Sequence, residues 1–175
     1  MISGENFGIV VHGGAGVMST LTQDQQDAIK LKVSETLMSS YKILKNGGSS
    51  LDAVEFAVSE FEDSPLFNAG KGSVYTSNET QEMDASIMFG LDRSSGAVAS
   101  VKIIKNPIRL ARKVLKETNH IFLVGDGAES FAKNIGVDVV EPNYFYSEKN
   151  LKRLRKVKNK LTNNYAIQDK IGTVG

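Results

Sequence analysis

The last residues of the sequence contain a threonine that could act as a nucleophile. Thr173 follows Gly172 in the segment GTVG. A threonine released at a chain N-terminus carries an α-amino group next to its own hydroxyl. That amine has an ordinary pKa of roughly 7.7 to 8.0, so it can accept the hydroxyl proton at neutral pH. Gly172 tolerates the strained backbone through which the hydroxyl could attack the preceding carbonyl. A Gly-Thr dipeptide is common, so alone it predicts little.

Three further groups of residues could take part in chemistry, and each has a structural alternative. The main-chain N–H groups of the segment His12–Gly16 could converge on an anion. The glycines of this segment do not have the spacing of a phosphate-binding loop, however, and a tight turn is the structural alternative. In Asn68–Gly72, the Asn amide could orient a reacting group and the carbonyls could face a cation, but such loops are usually turns. Asp84, Asp126 and His120 could be acids or bases, yet caps, hydrogen-bond acceptors and structural roles are more typical.

Composition limits the class of protein. The chain has 175 residues, 21 Lys and Arg against 20 Asp and Glu, two His and no Cys. This length fits one domain or the larger part of one. The lack of Cys excludes disulfides, a thiolate nucleophile and Cys-containing zinc sites. Apolar runs fall far short of the roughly 18 residues of a membrane span, and acidic Glu5 replaces a basic signal-peptide start. A cytoplasmic location is therefore expected.

Helical periodicity dominates the first third of the chain. Apolar residues recur every three or four positions from Gln23 to Lys45, which predicts a long helix ending at the following Asn-Gly-Gly. Ser49 followed by Asp52 predicts the N-terminal cap of a second helix, which ends before Pro65. Upstream of both helices, the β-branched run Phe7–His12 predicts a buried strand that enters the glycine-rich loop.

Strands and helices alternate in the middle of the chain. Residues 83–89 alternate apolar and polar side chains, and 97–103 follow after a turn, so an antiparallel hairpin is predicted. Pro107 opens a helix, after which residues 120–124 predict a strand and residues 128–134 a short helix. This order of elements favours an α/β or α+β layered domain over a helical bundle or an all-β sandwich.

A basic run follows. Six of the ten residues 151–160 are Lys or Arg, and few nearby residues are apolar, which predicts a solvated linker or a surface helix. The alternative is a nucleic-acid-binding module in which these cations neutralise phosphates. A net charge of only +1 disfavours that alternative, as does the fact that only Tyr144, Phe145 and Tyr146 lie near enough to stack on bases.

Six motifs in fixed order indicate a family. They are residues 10–16 (VVHGGAG), 48–54 (GSSLDAV), 64–72 (SPLFNAGKG), 83–88 (MDASIM), 123–128 (LVGDGA) and 172–175 (GTVG). Together they resemble the plant-type L-asparaginases and isoaspartyl peptidases, which are N-terminal nucleophile hydrolases, and the resemblance spans nearly all of the chain. It implies an αββα sandwich, of which this chain is roughly the N-terminal half, made as a precursor that cleaves itself before a threonine.

The resemblance also implies roles for individual residues. Thr173 would be the nucleophile of self-cleavage and of hydrolysis, and Gly172 would become the new C-terminus of the α subunit. Asn68 would help to orient Thr173, while Gly13 and Gly14 would sit against the scissile peptide. Main-chain carbonyls of a loop would hold a structural sodium or potassium ion. The loop residues are Phe61, Glu62, Ser64, Phe67, Ala69 and Lys71. No organic cofactor is expected.

The same resemblance predicts the organisation and the activity. Residues 1–141 would form the α-subunit layer, 142–172 a basic, flexible linker, and 173–175 the start of a β subunit whose remainder is absent. The implied activity is hydrolysis of the L-asparagine side-chain amide and of β-aspartyl peptides by an (αβ)2 heterotetramer, so this chain alone should be inactive. Alternatives are a glycosylasparaginase acting on glycan-linked Asn, a non-catalytic interaction domain, and the nucleic-acid-binding module.

Overall fold

The computed structural model describes residues 7–16 and 18–163. Helices and strands in this part of the chain confirm the predicted mixture of α and β structure. In chain order they are α1 (Gln23–Lys45), α2 (Ser50–Glu62), β1 (Met83–Met88), β2 (Ser95–Val101), α3 (Pro107–Glu117), β3 (Phe122–Val124), α4 (Gly125–Asn134) and α5 (Glu148–Asn163). Short 3₁₀ turns lie at Met18–Thr20, Gly70–Gly72 and Pro142–Phe145. In the described residues, no helix is both long enough and apolar enough to cross a membrane.

Helices α1 and α2 begin with reciprocal caps. The hydroxyl of Thr22 accepts the Gln25 N–H, and the Gln25 side chain accepts the Thr22 N–H in return. Ser49 and Asp52 form the same box at the start of α2, as predicted. Both boxes satisfy main-chain donors that the first helical turn leaves free. Hydrogen bonds from Ser49, followed by that from Arg112, lower the pKa of Asp52 to about 2.

The three strands form one sheet in the order β1-β2-β3. The predicted hairpin is confirmed, since β1 pairs antiparallel with β2, and a bulge interrupts the register between Met83 and Ala85. Strand β3 pairs parallel with β2, so α3 is the crossover that parallel strands require. Helix α3 approaches β2 so closely that a Cβ on Gly96 would collide with the Ala111 carbonyl and with Leu115. The lack of a side chain at Gly96 therefore allows helix α3 to pack this close to strand β2.

The two faces of the sheet differ in burial. The inner face packs on α3 and α4 and forms the core with side chains of these elements. Its members include Met83, Ile87, Val98, Val101, Leu110, Ala111, Val114, Ala128 and Ala132. On the outer face, Met88, Phe122 and Val124 are more than half exposed. The outer face of the sheet therefore carries exposed apolar side chains in the described part of the chain.

The predicted strand Phe7–His12 is wrong. This segment has no regular secondary structure, and Val10 is 93% exposed. Phe7 packs its ring against Tyr41 at 5.4 Å between centroids, and Gly13 lies beside Val33, so the segment runs along α1. A strand needs a neighbour to pair its main-chain groups, and in the described residues this segment lies against a helix instead.

Three predicted elements have boundaries shifted by two residues or more. Strand β2 spans Ser95–Val101, whereas the sequence predicts residues 97–103. Strand β3 begins at Phe122, two residues after the predicted start, and α4 begins at Gly125, ahead of the predicted residue 128. For the basic run, the structure has the surface helix, α5, rather than the solvated linker. Phe145, just before α5, is buried in the core. The boundaries 1–141, 142–172 and 173–175 stay predictions, since residues 164–175 lie outside the described part.

Candidate functional site

Asn68 has a fixed place in the loop after α2. Its Oδ1 accepts a hydrogen bond from the main-chain N–H of Val74 at 3.0 Å, six residues along the chain. The side chain is partly buried and lies in the wall of an open cavity of about 560 Å³. An amide whose oxygen is held by a main-chain donor presents its nitrogen in a defined direction. The geometry suits an orienting role for Asn68.

The cavity beside Asn68 has a mixed lining in which apolar surface predominates. The loop after α2 and the outer rows of β1 and β2 supply its walls. The polar residues are Glu62, Asn68, Ser73, Glu82, Asp84 and Ser86. Asp84 Oδ1 accepts the Ser100 N–H at 2.8 Å, and Glu82 accepts the Ser100 hydroxyl at 2.6 Å. These hydrogen bonds across the β1-β2 bulge give the two carboxylates structural partners, so Asp84 has the acceptor role that its position in a strand suggests.

The glycine-rich loop lies beside the Asn68 loop. A Cβ on Gly13 would come within 3.1 Å of the Phe67 ring, the residue before Asn68. Gly14 adopts φ +99°, which favours glycine, and its N–H donates to His12 Nδ1 at 3.3 Å. Residues far apart in sequence, 13 and 67, are therefore neighbours. The structure brings together two of the segments named by the resemblance.

Residues 61–71 form a loop closed on its own main chain. A Cβ on Gly70 would collide with the Glu62 carbonyl, and a Cβ on Gly72 would collide with the Phe67 carbonyl. Both glycines are buried, and Gly70 has φ +48°. The two glycines therefore allow close approach of main-chain carbonyls within this loop, and main-chain carbonyl oxygens are a kind of ligand that binds a hard cation such as sodium. In the described residues, no group of three or more His, Asp or Glu side chains could hold a metal.

Glu62 is a buried carboxylic acid at the end of α2. Its side chain is 3% exposed, Oε1 accepts the Ile108 N–H at 3.0 Å, and Oε2 has no hydrogen-bond partner among the described residues. Burial raises the pKa of Glu62 to about 8, against the lowering effect of the Ile108 N–H. At neutral pH the group is therefore mostly protonated. The resemblance names Glu62 only as a carbonyl donor, although Glu62 lies four residues after Val58 and therefore on the same face of α2.

The remaining candidates are scattered. His120 is exposed, and its main-chain N–H donates to the Thr118 hydroxyl. Asp126 lies in the first turn of α4. Lys71 holds its ammonium 4.8 Å from the centre of the Tyr144 ring, a cation–π contact. Gly172 and Thr173 lie outside the described residues, so the nucleophile's position relative to Asn68 stays a prediction.

The cations of α5 are partly neutralised. Arg155 and Lys158 both pair with Glu79, at 2.8 and 3.6 Å, and Lys152 pairs with Glu148 at 2.7 Å. Three cations of the basic run therefore face carboxylates instead of presenting free charge to a phosphate backbone. This pairing weakens the nucleic-acid-binding alternative.

Comparison with known proteins identifies relatives over almost the entire chain. A family model described as "Asparaginase" matches residues 5–175. The chain is 44% identical over 168 residues to the isoaspartyl peptidase/L-asparaginase of Homo sapiens and to that of Mus musculus, with 95% of this chain covered. It covers 54% of the human and 51% of the mouse protein. A plant-type L-asparaginase of Thermococcus kodakarensis is 42% identical over 153 residues, 87% of this chain and 48% of that protein. The chain spans about half the length of the curated relatives it matches.

Proposed function

The chain belongs to the asparaginase family, and on this premise we propose that it is the α-subunit portion of a self-cleaving threonine hydrolase. The substrates are the side-chain amide of L-asparagine and β-aspartyl peptides. The observation that carries the proposal is the position of Asn68, which the Val74 N–H holds in the wall of an open cavity lined in part by polar side chains. The names of the human and mouse relatives, which cover both activities, support the choice of substrates.

In the proposed activation, the Thr173 hydroxyl attacks the carbonyl carbon of Gly172. The bond to the Thr173 nitrogen breaks as an ester to its oxygen forms, and water then hydrolyses that ester. The products are a chain ending at Gly172 and a chain beginning at Thr173 with a free amine. Gly13 and Gly14 would allow close approach of the scissile peptide, because a glycine has no Cβ to obstruct it. The closeness of Gly13 to the Asn68 loop supports this role.

In the proposed hydrolysis, the free amine of Thr173 takes the proton of its own hydroxyl. The oxygen attacks the amide carbon of the substrate, and ammonia or an amino acid leaves after taking that proton. Water then releases aspartate from the acyl-enzyme. Asn68 would donate a hydrogen bond that fixes the nucleophile's direction, since hydrolysis requires the oxygen near the line of attack.

A sodium or potassium ion would stabilise the Asn68 loop. The carbonyls of Phe61, Glu62, Ser64, Phe67, Ala69 and Lys71 would hold it, and the close packing of Gly70 and Gly72 on main-chain carbonyls of this segment supports the assignment. The ion supplies a fixed positive charge that offsets the mutual repulsion of the carbonyl dipoles. No organic cofactor is proposed.

The partner of this chain would be a β subunit made from the following part of the precursor. It would cover the outer face of the sheet, where Met88, Phe122 and Val124 are exposed, and so complete an αββα sandwich. Two such αβ units would assemble as (αβ)2. The share of the relatives that the chain spans supports a missing portion of similar size. A cytoplasmic location stays a prediction.

The test is hydrolysis by the protein expressed from its full reading frame. Ammonia release from L-asparagine and amino-acid release from a β-aspartyl dipeptide are measured for the wild type and for Thr173→Ala. Turnover of both substrates by the wild type alone supports the proposal. Turnover of glycan-linked asparagine only would favour the glycosylasparaginase alternative, and no turnover of any of the three would contradict the proposal.

A further inference from the structure

Helix α5 is fastened to the segment that follows the Asn68 loop. Asn150, in the first turn of α5, donates from Nδ2 to the carbonyls of Gly72 at 3.0 Å and Ser73 at 3.1 Å. Just before the helix, the Ser147 N–H donates to the Tyr75 hydroxyl at 3.2 Å. One side chain of α5 thus reaches two consecutive main-chain oxygens beside the cavity.

The Ser73 carbonyl belongs to the same peptide unit as the Val74 N–H. Because a peptide unit is planar and rigid, its oxygen and its N–H turn together. The N–H is the group that holds Asn68 Oδ1 at 3.0 Å. The oxygen is held by Asn150 and, from a second direction, by Gln81 Nε2 at 2.9 Å. Two side-chain amides therefore fix the orientation of the peptide that orients Asn68.

The surroundings of this peptide leave it little freedom to adjust. Ser73 is 4% exposed and Gln81 is 9% exposed, and Gln81 also donates to the Ser73 hydroxyl at 3.1 Å. Tyr75 and Gln81 form an isolated antiparallel bridge that closes the intervening turn. Loss of one donor would weaken the hold on this buried carbonyl, and any rotation of the carbonyl would also rotate the N–H in the same plane.

We infer that Asn150 is a positioning residue for Asn68, acting through the Ser73–Val74 peptide. The inference rests on the proposed function, in which Asn68 directs the nucleophile. Asn150 itself touches no reacting atom. Its hydrogen bonds make the first turn of α5 part of the support of the site, so the basic segment before Gly172 does more than connect two subunits.

The primary test is Asn150→Asp in the protein expressed from its full reading frame. The change keeps the shape of the side chain but replaces the amide donor by an acceptor oxygen that faces two carbonyls. We expect kcat for L-asparagine to fall about tenfold while KM stays within about twofold, because positioning affects the chemical step more than substrate binding. Cleaved enzyme is quantified by intact mass, so that kcat refers to mature sites only.

A matched control and a double variant separate positioning from general damage. Asn159→Asp makes the same chemical change at an exposed position of the same helix and should leave kcat unchanged. In an Asn68→Ala background, Asn150→Asp should lower kcat by less than about twofold, since the residue it acts through is gone. If Asn150→Asp does not fold, Gln81→Glu removes the other donor to the same carbonyl and undergoes the same tests.

Each outcome decides the inference. The inference is supported if Asn150→Asp lowers kcat in the otherwise wild-type protein but lowers it little further in the Asn68→Ala variant. An unchanged kcat, or an equal loss in both backgrounds, overturns it and leaves the proposed function intact. If Asn68→Ala itself turns over substrate like the wild type, the proposed role of Asn68 fails, and the inference about Asn150 is overturned with it.

Discussion

Arg112 joins helices α2 and α3, and its replacement should destabilise the protein. The guanidinium donates to Glu55 at 2.7 Å and to Asp52 at 2.5 Å, and the Arg112 side chain is only 10% exposed. Arg112→Met keeps an unbranched chain and favourable helix propensity but leaves both carboxylates without their common partner. This link matters for the site because α2 ends at Glu62, where the proposed cation-binding segment begins.

The size of the loss follows from the exposure of the partners. A hydrogen bond to a charged group contributes roughly 1.5 to 3 kcal/mol when it is shielded from water. The Glu55 side chain is 25% exposed, so its bond keeps most of this value, whereas Asp52 is 46% exposed and water screens its bond. Arg112→Met should therefore lower the free energy of unfolding by about 2 to 3 kcal/mol.

Lys113→Met is the matched control, one residue along the same helix. Lys113 pairs with Glu117 at 2.6 Å, but both side chains are well exposed. An i,i+4 pair of this kind contributes about 0.3 to 0.5 kcal/mol. Urea-induced unfolding of both variants, followed by circular dichroism at one pH, gives the comparison. Equal losses for Arg112→Met and Lys113→Met would refute the argument from burial.

Three further predictions concern the cap of α2, the packing of α3 on the sheet and the proposed cation site. Since the pKa of Asp52 is lowered from 3.8 to about 2, its stabilising effect is present above pH 3.8 and lost as the pH falls through 2. As the pH is lowered from about 4 to about 2, the free energy of unfolding should therefore decrease less for Asp52→Asn than for the wild type. Gly96→Ala should lower the free energy of unfolding, measured in urea, by about 1 to 3 kcal/mol. Gly90→Ala should lower it far less, because a Cβ at Gly90 meets nothing within 4 Å. Similar losses for the two variants would contradict the close approach of α3 to the sheet. Replacing sodium and potassium by tetramethylammonium, too large for the loop of residues 61–71, should lower the melting temperature, and an unchanged value would count against the cation site.

Local signals explain which parts of the fold were predictable. The bounds of α1 and the cap of α2 follow from periodicity and from short-range hydrogen bonds such as those between Ser49 and Asp52. The β1-β2 hairpin likewise follows from alternation and a turn. Phe7–His12 shows the limit of local signals. Its β-branched residues suit a strand, but a strand also needs a neighbour, and the segment lies along α1.

The candidate site depends on contacts that sequence patterns do not contain. The motifs named Gly13 and Asn68, but nothing in the order of residues says that Gly13 meets the Phe67 ring. The groups that hold Asn68 in place were also unforeseen. Val74 contributes only its main chain, and Asn150, which binds the Ser73 carbonyl, lies just before the basic run of residues 151–160. Glu62 could have been found, since it lies four residues after the apolar Val58 on the same helix face, and a carboxyl group on a buried helix face has an unusual environment.

The central claim is self-cleavage before Thr173, and intact-mass spectrometry tests it most directly. The protein is expressed from its full reading frame, purified and incubated, with Thr173→Ala treated identically. We predict two fragments for the wild type, one ending at Gly172 and one beginning at Thr173, and a single intact chain for Thr173→Ala. A wild-type chain that stays intact, or cleavage that persists in Thr173→Ala, would contradict the assignment of Thr173 as the nucleophile.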